Sequence, residues 1–257
     1  MVNLKFCYAD AQVRALTVTS PASDVVKTTD TFPIGNALSG ARHRHYRTDA
    51  QVTSTDIDID LGSTGQTNPD YFIIARADFL KRGDSSDPVF TLEGDDNSSF
   101  TSPETSALTV TSAQLKGPHN EDIIKETSFT TSYRYWRLNI ASTATIQHEI
   151  SKIYFGNWLD LGRDPSYAPQ IEFGEWSHTR RRRARTISLF FRGITTANRL
   201  LFETKVVANK DVHPLFLYDP NDYLFDGLQL IHCELLSHGW TIRHGGSDLS
   251  VTLMELI

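Results

Sequence analysis

The feature that most constrains this fold is an alternation of apolar and polar residues in two distant stretches. In Ile57-Asp58-Ile59-Asp60-Leu61, every second residue is apolar, and Tyr135-Trp136-Arg137-Leu138-Asn139-Ile140 has the same period. Neighbouring side chains of a β-strand point to opposite faces, so each stretch predicts a strand with one buried face. Short runs rich in Val, Ile, Thr and aromatic residues recur between Gly, Pro, Asn and Asp clusters. This arrangement is typical of a mainly β protein.

The chain length predicts two domains, because a domain takes about 150 residues and the chain has 257. Residues 161–170 contain two prolines and no periodic pattern, which is typical of a linker. We therefore divide the chain into an N-terminal domain (1–160), this linker (161–170) and a C-terminal domain (171–257). In the first domain, short strands with long connections predict a β-sandwich of the jelly-roll type. They are expected near residues 3–8, 13–18, 56–61, 70–76, 88–93, 106–111, 134–141 and 146–155.

The C-terminal domain combines strands with one predicted helix. The run Arg185-Thr186-Ile187-Ser188-Leu189-Phe190-Phe191-Arg192 alternates like a strand, and Thr195-Thr196 can cap a helix that continues to about residue 209. A strand near 227–237 and a closing hairpin follow, the hairpin with strands 239–244 and 249–256 around a turn at 245–248. The pattern predicts a smaller α+β domain of the split-barrel type.

Composition and charge exclude several functions. A net charge of −6 argues against a dedicated nucleic-acid binder, which normally carries a basic surplus. Membrane insertion is not expected, since every apolar run falls short of the roughly 18 residues of a membrane span. The N-terminus lacks the apolar core of a signal peptide, so export by that route is not expected. Cys7 and Cys233 are expected to be buried thiols in different domains, in preference to a disulfide or metal site.

The first 157 residues resemble discoidin-like (galactose-binding-like) modules in several ordered segments. One strand ends in Asp60-Leu61-Gly62, and the aromatic strand Tyr135-Trp136-Arg137-Leu138 follows a long middle section. Between them, Val89-Phe90-Thr91-Leu92-Glu93-Gly94-Asp95-Asp96 matches a further segment of such modules. Upstream, Phe32-Pro33-Ile34-Gly35-Asn36 precedes Tyr46, which stands where tryptophan is usual. The resemblance implies a discoidin-like jelly roll.

The last 87 or so residues resemble the tail-proximal domain of siphophage distal-tail and minor tail proteins. The matching segments are an Arg-rich strand leading into ISLFFRGIT, a helix with ANRLLFE, then PLFLYDPND, SHGW and SVTLMEL. The resemblance implies a virion protein at the tail tip that forms a homo-oligomeric ring, expected to be a hexamer. Its partners would be copies of itself and the tail-tube and tail-hub proteins. The alternative that we keep open is a carbohydrate-binding module for adhesion to host-surface glycans.

The sharpest charge feature is a run of arginines at Arg180, Arg181, Arg182, Arg183 and Arg185. On a strand these side chains project to both faces, so some must meet solvent, a neighbouring subunit or a phosphate. A subunit contact with acidic residues is favoured over a solvated strand end. Contact with DNA is not expected, because no aromatic residues are interleaved with the arginines.

A candidate glycan site comprises Arg44, Tyr46 and Arg47, since loops of discoidin-like modules often carry arginine and aromatic side chains that hold sugar hydroxyls. The competing and favoured interpretation is an ordinary surface loop with one aromatic residue anchored in the core. His43 and His45 alternate on one side of this segment. They lack a third ligand at a set spacing, so a metal is not expected there.

Other polar clusters are weaker candidates. Asp56, Asp58 and Asp60 share one strand face, where solvated polarity is favoured over acid–base work or Ca²⁺ binding. The turn of Asp95, Asp96 and Asn97 could supply several oxygens to Ca²⁺, but it lacks the spacing of a dedicated loop. In the C-terminal domain, ordinary packing is favoured over zinc binding for a set of five residues: His213, His232, Cys233, His238 and His244. We expect neither a metal nor a cofactor.

Enzymatic function is not expected. The sequence has no Gly-x-Ser-x-Gly elbow, P-loop, dinucleotide fingerprint or His-Glu-x-x-His motif. The predicted function is therefore structural, in the tail tip of a virion, with glycan binding as the alternative.

Overall fold

The computed structural model describes residues 3–8, 17–19, 46–48, 51–63, 65–75, 88–109, 123–150, 152–173, 185–211, 214–221 and 230–256. The chain divides into two compact units. The N-terminal unit is Asp10–Asn157, and the C-terminal unit comprises Met1–Ala9 and Trp158–Ile257.

The strands of the N-terminal unit form antiparallel sheets. Their bounds are β2 (Thr17–Thr19), β3 (Tyr46–Arg47), β4 (Val52–Asp60), β5 (Tyr71–Ala75), β6 (Val89–Asp95), β7 (Glu104–Thr109), β8 (Ile123–Glu126), β9 (Tyr135–Ile146) and β10 (Glu149–Ile150). A five-stranded sheet has the order β2-β4-β9-β6-β7. A second sheet contains β5 between β8 and the first part of β11 (Lys152–Asp160), and β3 pairs with β10.

One hydrophobic core joins these sheets into a sandwich. From the five-stranded sheet it takes the buried residues of the alternating strands, among them Ile57, Ile59, Phe90, Leu92, Trp136 and Leu138. From the second sheet it takes Phe72, Ile74, Ile153 and Phe155. Two sheets with facing apolar sides and polar outer sides are the architecture of a β-sandwich. The predicted mainly β fold, with a sandwich in its N-terminal part, is confirmed.

The C-terminal unit has the strands β1 (Lys5–Tyr8), β12 (Gln170–Phe173), β13 (Arg185–Ile194), β14 (Leu215–Tyr218), β15 (Leu230–Arg243) and β16 (Gly246–Glu255). They lie side by side in an antiparallel sheet in the order β12-β13-β16-β15-β14-β1. β1 pairs with β14, from Lys5 opposite Tyr218 to Tyr8 opposite Leu215. The N-terminal domain that we predicted as 1–160 therefore differs from the structural unit, because its first strand belongs to the C-terminal unit.

The segment that we predicted as a linker, residues 161–170, makes ordered contacts within the C-terminal unit. Asp164 accepts a hydrogen bond from the backbone N–H of Leu4 at 2.8 Å, and the N–H of Ser166 donates to the carbonyl of Phe190 at 2.7 Å. The ring of Tyr167 stacks on Phe190 at 5.8 Å between centroids. Pro165 and Pro169 thus interrupt regular structure without separating two domains.

The predicted helix begins where its capping signal indicates. The helix α1 (Thr196–Phe202) follows Thr195, whose hydroxyl accepts a hydrogen bond from the N–H of Asn198 at 3.1 Å. It continues as a π-helical turn (Glu203–Val207) that buries Val206. Glu203 Oε1 accepts hydrogen bonds from the Nε1–H of Trp240 and, at 3.1 Å, from Nε2 of His238, which ties the helix to the sheet. Among the described residues, no helix has the length and apolar character needed to cross a membrane.

The closing hairpin is longer than predicted. We expected one strand near 227–237 and another at 239–244, but β15 is continuous over Leu230–Arg243. A β-bulge between Leu235 and Ser237 adds a residue there, and pairing with β16 then continues past Gly239 to Arg243. Because a bulge absorbs the change of register, the strand continues through a sequence that resembles a break. The turn lies at His244 and Gly245, earlier than expected, with Gly245 at φ +92°.

Candidate functional site

A row of charged and polar side chains lies on the outer side of the five-stranded sheet, opposite the core. β4 and β9 are paired so that Asp58 faces Arg137, Asp56 faces Asn139 and Asp60 faces Tyr135. On the other side of β9, Glu93 of β6 also faces Arg137. We call these seven residues the charged face. It exists because two alternating strands lie side by side in this register, with their apolar residues turned to the core.

Arg137 lies at the centre of the charged face and has a fixed position. Its Nε and Nη2 donate to the two carboxylate oxygens of Asp58 at 2.6 and 3.1 Å, and its Nε lies 3.8 Å from Asp56 Oδ2. The ring of Phe100 covers the guanidinium, with 4.1 Å between Cζ and the ring centroid. A guanidinium held by a bidentate carboxylate and an aromatic ring keeps its orientation before any ligand arrives.

Glu93 differs from the other carboxylates of the charged face. Within the described part of the chain it makes neither a hydrogen bond nor an ion pair, whereas Asp58 is held by Arg137 and Asp56 accepts from Asn139 Nδ2 at 2.6 Å. Partial burial raises the pKa of Glu93, and the charges of Asp56 and Asp58 act in the same direction against the attraction of Arg137. Glu93 therefore offers both carboxylate oxygens to a hydrogen-bond donor brought by a ligand.

A second arginine–carboxylate pair borders the charged face. Arg134 donates from Nε and Nη2 to the two oxygens of Asp60, both at 2.7 Å, and its guanidinium lies 4.7 Å from the ring centroid of Tyr135. The backbone N–H of Gly62, at φ +73°, also donates to Asp60 Oδ1 at 2.7 Å. The hydrogen bond from Arg134 lowers the pKa of Asp60, with burial opposing it and the Gly62 N–H adding to it.

This lowered pKa predicts how Asp60 contributes to stability as the pH changes. Because the pKa in the fold lies below its ordinary value of 3.8, the contribution is complete above that value and is lost as the pH falls through the pKa of the folded state. Asp60→Asn should therefore be less stable than wild type in urea denaturation at pH 7, and the difference should shrink below about pH 4. Asp211→Asn, at an exposed position, is the control. A difference that stays constant down to pH 2 would contradict the assignment.

The loop after β6 is folded around Asp95. One carboxylate oxygen accepts the N–H of Asn97 at 2.9 Å and the other accepts the N–H of Ser102 at 3.2 Å. Burial acts to raise the pKa of Asp95, but these backbone hydrogen bonds outweigh it and the pKa is lowered. The carboxylate that we considered for Ca²⁺ is thus engaged inside its own loop. In the described part of the chain, no three His, Cys, Asp or Glu residues are grouped as a metal site requires.

The structure corrects the candidate glycan site. Tyr46 has 0% of its surface exposed and belongs to the core of the sandwich, so its ring is not available to a ligand at the surface. This is the core-anchored aromatic of the competing interpretation. Arg47 is partly exposed and pairs with Glu149 in the short ladder of β3 and β10. Arg44, His43 and His45 lie outside the described residues.

The candidate subunit contact is also revised where the structure describes it. Arg185 is buried, and its Nε and Nη2 donate to the carboxylate of Glu255 at 2.8 and 3.0 Å. Its charge is matched within its own chain, so the buried pair with Glu255 accounts for Arg185 without a second subunit. The residues Arg180, Arg181, Arg182 and Arg183 lie outside the described part of the chain.

Two histidines and both cysteines in the described part of the C-terminal unit take part in packing. His232 stacks on Phe216 with 4.5 Å between ring centroids, and His238 contacts Glu203 and Phe202. Cys7 and Cys233 are both buried in this unit rather than in different domains, and burial raises the pKa of the Cys233 thiol. His244 is exposed, and His213 lies outside the described residues.

Sequence reasoning recognised the aspartates of the charged face but missed Arg137, Glu93 and Phe100. A signal was available in the matching period of the two strands: three acidic residues at alternate positions in one, and Arg137 and Asn139 at alternate positions in the other. Pairing of opposite charges across two strands predicts that the acidic residues of the first contact Arg137 of the second. Which residues pair depends on the register, which the sequence does not give.

Comparisons with known proteins found likeness in structure alone. No family model matches the chain, and no curated protein matches it. A GH29 fucosidase of Ruminococcus gnavus is 17% identical with a TM-score of 0.42, over 57% of this chain and 26% of the fucosidase. A chitosan-binding module of a Paenibacillus chitosanase/glucanase is 16% identical with a TM-score of 0.40, over 58% of this chain and 100% of the module. A CBM32 module of Clostridium perfringens, in complex with GalNAc-β-1,3-galactose, is 9% identical with a TM-score of 0.41, over 58% of this chain and 99% of the module.

Proposed function

We propose that the N-terminal unit binds carbohydrate on the charged face. The observation that carries the proposal is Arg137, which is held between the Asp58 carboxylate and the Phe100 ring. It lies opposite Glu93, whose carboxylate oxygens can accept hydrogen bonds from a ligand. A sugar presents hydroxyl groups that both donate and accept, together with C–H groups that contact apolar surface. Guanidinium, carboxylate and amide groups in fixed orientations next to an aromatic ring supply both kinds of contact.

Charge favours a sugar over a nucleic acid as the ligand. The charged face has four carboxylates, from Asp56, Asp58, Asp60 and Glu93, and one guanidinium, from Arg137; Arg134 adds a second at its border. Both guanidiniums are already bound to carboxylates. A phosphate backbone needs a surplus of positive charge, which this surface does not provide. The neutral hydroxyl groups of a sugar are not repelled by the carboxylates of the charged face.

The proposal is tested by electrophoresis at neutral pH in gels that contain galactan, glucomannan, xylan or pectin. Wild type should be retarded by at least one polysaccharide, and Arg137→Ala should weaken that affinity by at least about tenfold, because truncation leaves Asp58 without its bound donor. Arg137→Lys should not restore it, since lysine lacks the planar fork. Lys125→Ala, which removes a partly exposed charge from β8 in the other sheet, is the matched control.

Two outcomes would overturn the proposal. One is a wild-type protein that no polysaccharide retards. The other is undiminished binding by both of two single variants, Arg137→Ala and Asn139→Ala. The second of these removes only an amide group from the charged face. Circular dichroism of each variant separates lost binding from lost folding.

A second candidate function, assembly of copies into a ring at a virion tail tip, rests on the sequence resemblance of the C-terminal part. Exposed apolar side chains on the C-terminal unit favour it: Leu200 is 64% exposed, Leu236 47% and Ile242 73%. Where exposed apolar residues form one contiguous patch, the surface is typical of contacts with other proteins. Light scattering should give an oligomeric mass, reduced by Leu236→Asp or Ile242→Asp. A strict monomer at high concentration, with no annular particles in the presence of tail-tube protein, would contradict this candidate.

A further inference from the structure

Phe100 has a backbone conformation that its own side chain disfavours. Among the described residues it is the one non-glycine residue with positive φ, at +49°. Large side chains rarely adopt this left-handed region, and such strain persists only where the surroundings impose it. Strained residues of this kind concentrate at ligand clamps and active sites. The strain at Phe100 therefore indicates that neighbouring groups hold this residue in place and that its position serves a function.

The surroundings that impose the strain are centred on Asp95. Asp95 is 5% exposed, and its carboxylate accepts backbone N–H groups from both arms of the loop, at Asn97 and Ser102. The N–H of Phe100 itself donates to the carbonyl of Asn97 at 3.1 Å. Asp95 stands at the end of β6, directly after Gly94, so the loop is attached to the rigid sheet that carries the charged face. The loop conformation is thus fixed by a side chain that is itself buried.

This position brings the ring over the centre of the charged face. One side of the ring covers the Arg137 guanidinium at 4.1 Å, and the residue remains partly exposed to solvent. The exposed part of Phe100 can contact the C–H groups of a pyranose while the hydroxyl groups of the same sugar reach Glu93 and Arg137. Aromatic rings are suited to this contact because they offer a large apolar surface with little freedom to lose.

We infer that Phe100 is the stacking residue that selects sugars with an apolar C–H face, and that Asp95 is the positioning residue which holds it over Arg137. This inference rests on the proposed function of the charged face. It makes a distinct prediction: removing the ring should reduce binding without destabilising the fold, because the ring is held in a conformation that glycine adopts freely.

The decisive variant is Phe100→Gly, with Ser98→Gly as its control at an exposed position of the same loop. With the polysaccharide that retards wild type, Phe100→Gly should bind at least about tenfold more weakly while its melting temperature falls no more than that of the control. Phe100→Tyr should retain binding, because it keeps the ring. Asp95→Asn should weaken binding in wild type and should have no further effect on binding in the Phe100→Gly background.

The outcomes separate this inference from the proposed function. If no polysaccharide retards wild type, the proposed function fails and the inference fails with it. If wild type binds and Arg137→Ala does not, but Phe100→Gly binds like wild type, the inference alone is overturned. The inference is also overturned if Phe100→Gly melts well below Ser98→Gly and still binds like wild type, because the ring then serves stability rather than binding.

Discussion

Replacing Glu255 with alanine should lower the free energy of unfolding of the C-terminal unit by about 3–5 kcal/mol. Glu255 is 6% exposed and holds the guanidinium of Arg185, which is 7% exposed, through two hydrogen bonds. Truncation of Glu255 leaves a buried positive charge that has lost its partner, and the cost of that charge exceeds the value of the original pair. The shift should appear as a lower denaturant midpoint in guanidinium unfolding.

Two further variants separate a lost charge pair from a general effect of mutation in this sheet. Glu234→Ala removes an exposed carboxylate from the adjacent strand β15 and should change the midpoint little. The double variant Arg185→Met with Glu255→Met removes both charges, so it should recover most of the lost stability. If the double variant is as unstable as Glu255→Ala, packing volume rather than the unpaired charge is responsible.

The strands that the sequence predicted best are those with a single buried face. β4 and β9 alternate strictly, and the predicted segments 56–61 and 134–141 overlap Val52–Asp60 and Tyr135–Ile146. β8 was not predicted, because Ile123-Ile124-Lys125-Glu126 is too short to show a period. The continuity of β15 was missed for a different reason. Gly239 is a weak strand residue locally, but pairing with the whole length of β16 outweighs that preference.

The unit boundaries depended on information that no local pattern contains. β1 is a strand by its own residues, but its partner β14 lies more than 200 residues away, so the sequence did not indicate which unit it completes. Arg185 shows the same limit for function. Four of the five residues before it are arginines, which suggested an exposed contact, whereas the register of β13 and β16 places it beside Glu255. Charge is visible in the sequence, and burial of that charge is not.

Replacing Trp136 with alanine should destabilise the N-terminal unit by about 3–5 kcal/mol, the range for removal of a large aromatic residue from a core. Trp136 is fully buried and contacts Phe129 and Phe155, with ring centroids 4.9 and 5.7 Å away. Its Nε1–H donates to the carbonyl of Tyr133 at 3.1 Å. The variant loses this packing and leaves a cavity between the two sheets. Thermal unfolding followed by circular dichroism measures the loss.

The packing of Trp136 and Tyr133 also explains why residue 94 is glycine. A substitution at this position therefore tests whether the Trp136 ring fills the space between the sheets. A Cβ at position 94 would lie 2.9 Å from two ring atoms of Trp136 and 2.5 Å from Tyr133 Cδ2. Gly94→Ala should therefore cost about 1–3 kcal/mol through overpacking, while Thr91→Ala on the same strand should cost much less. Because the smaller ring of Trp136→Phe relieves part of the clash, Gly94→Ala should cost less in that background than in wild type. Equal costs in both backgrounds would show that the tryptophan ring does not fill the space beside Gly94.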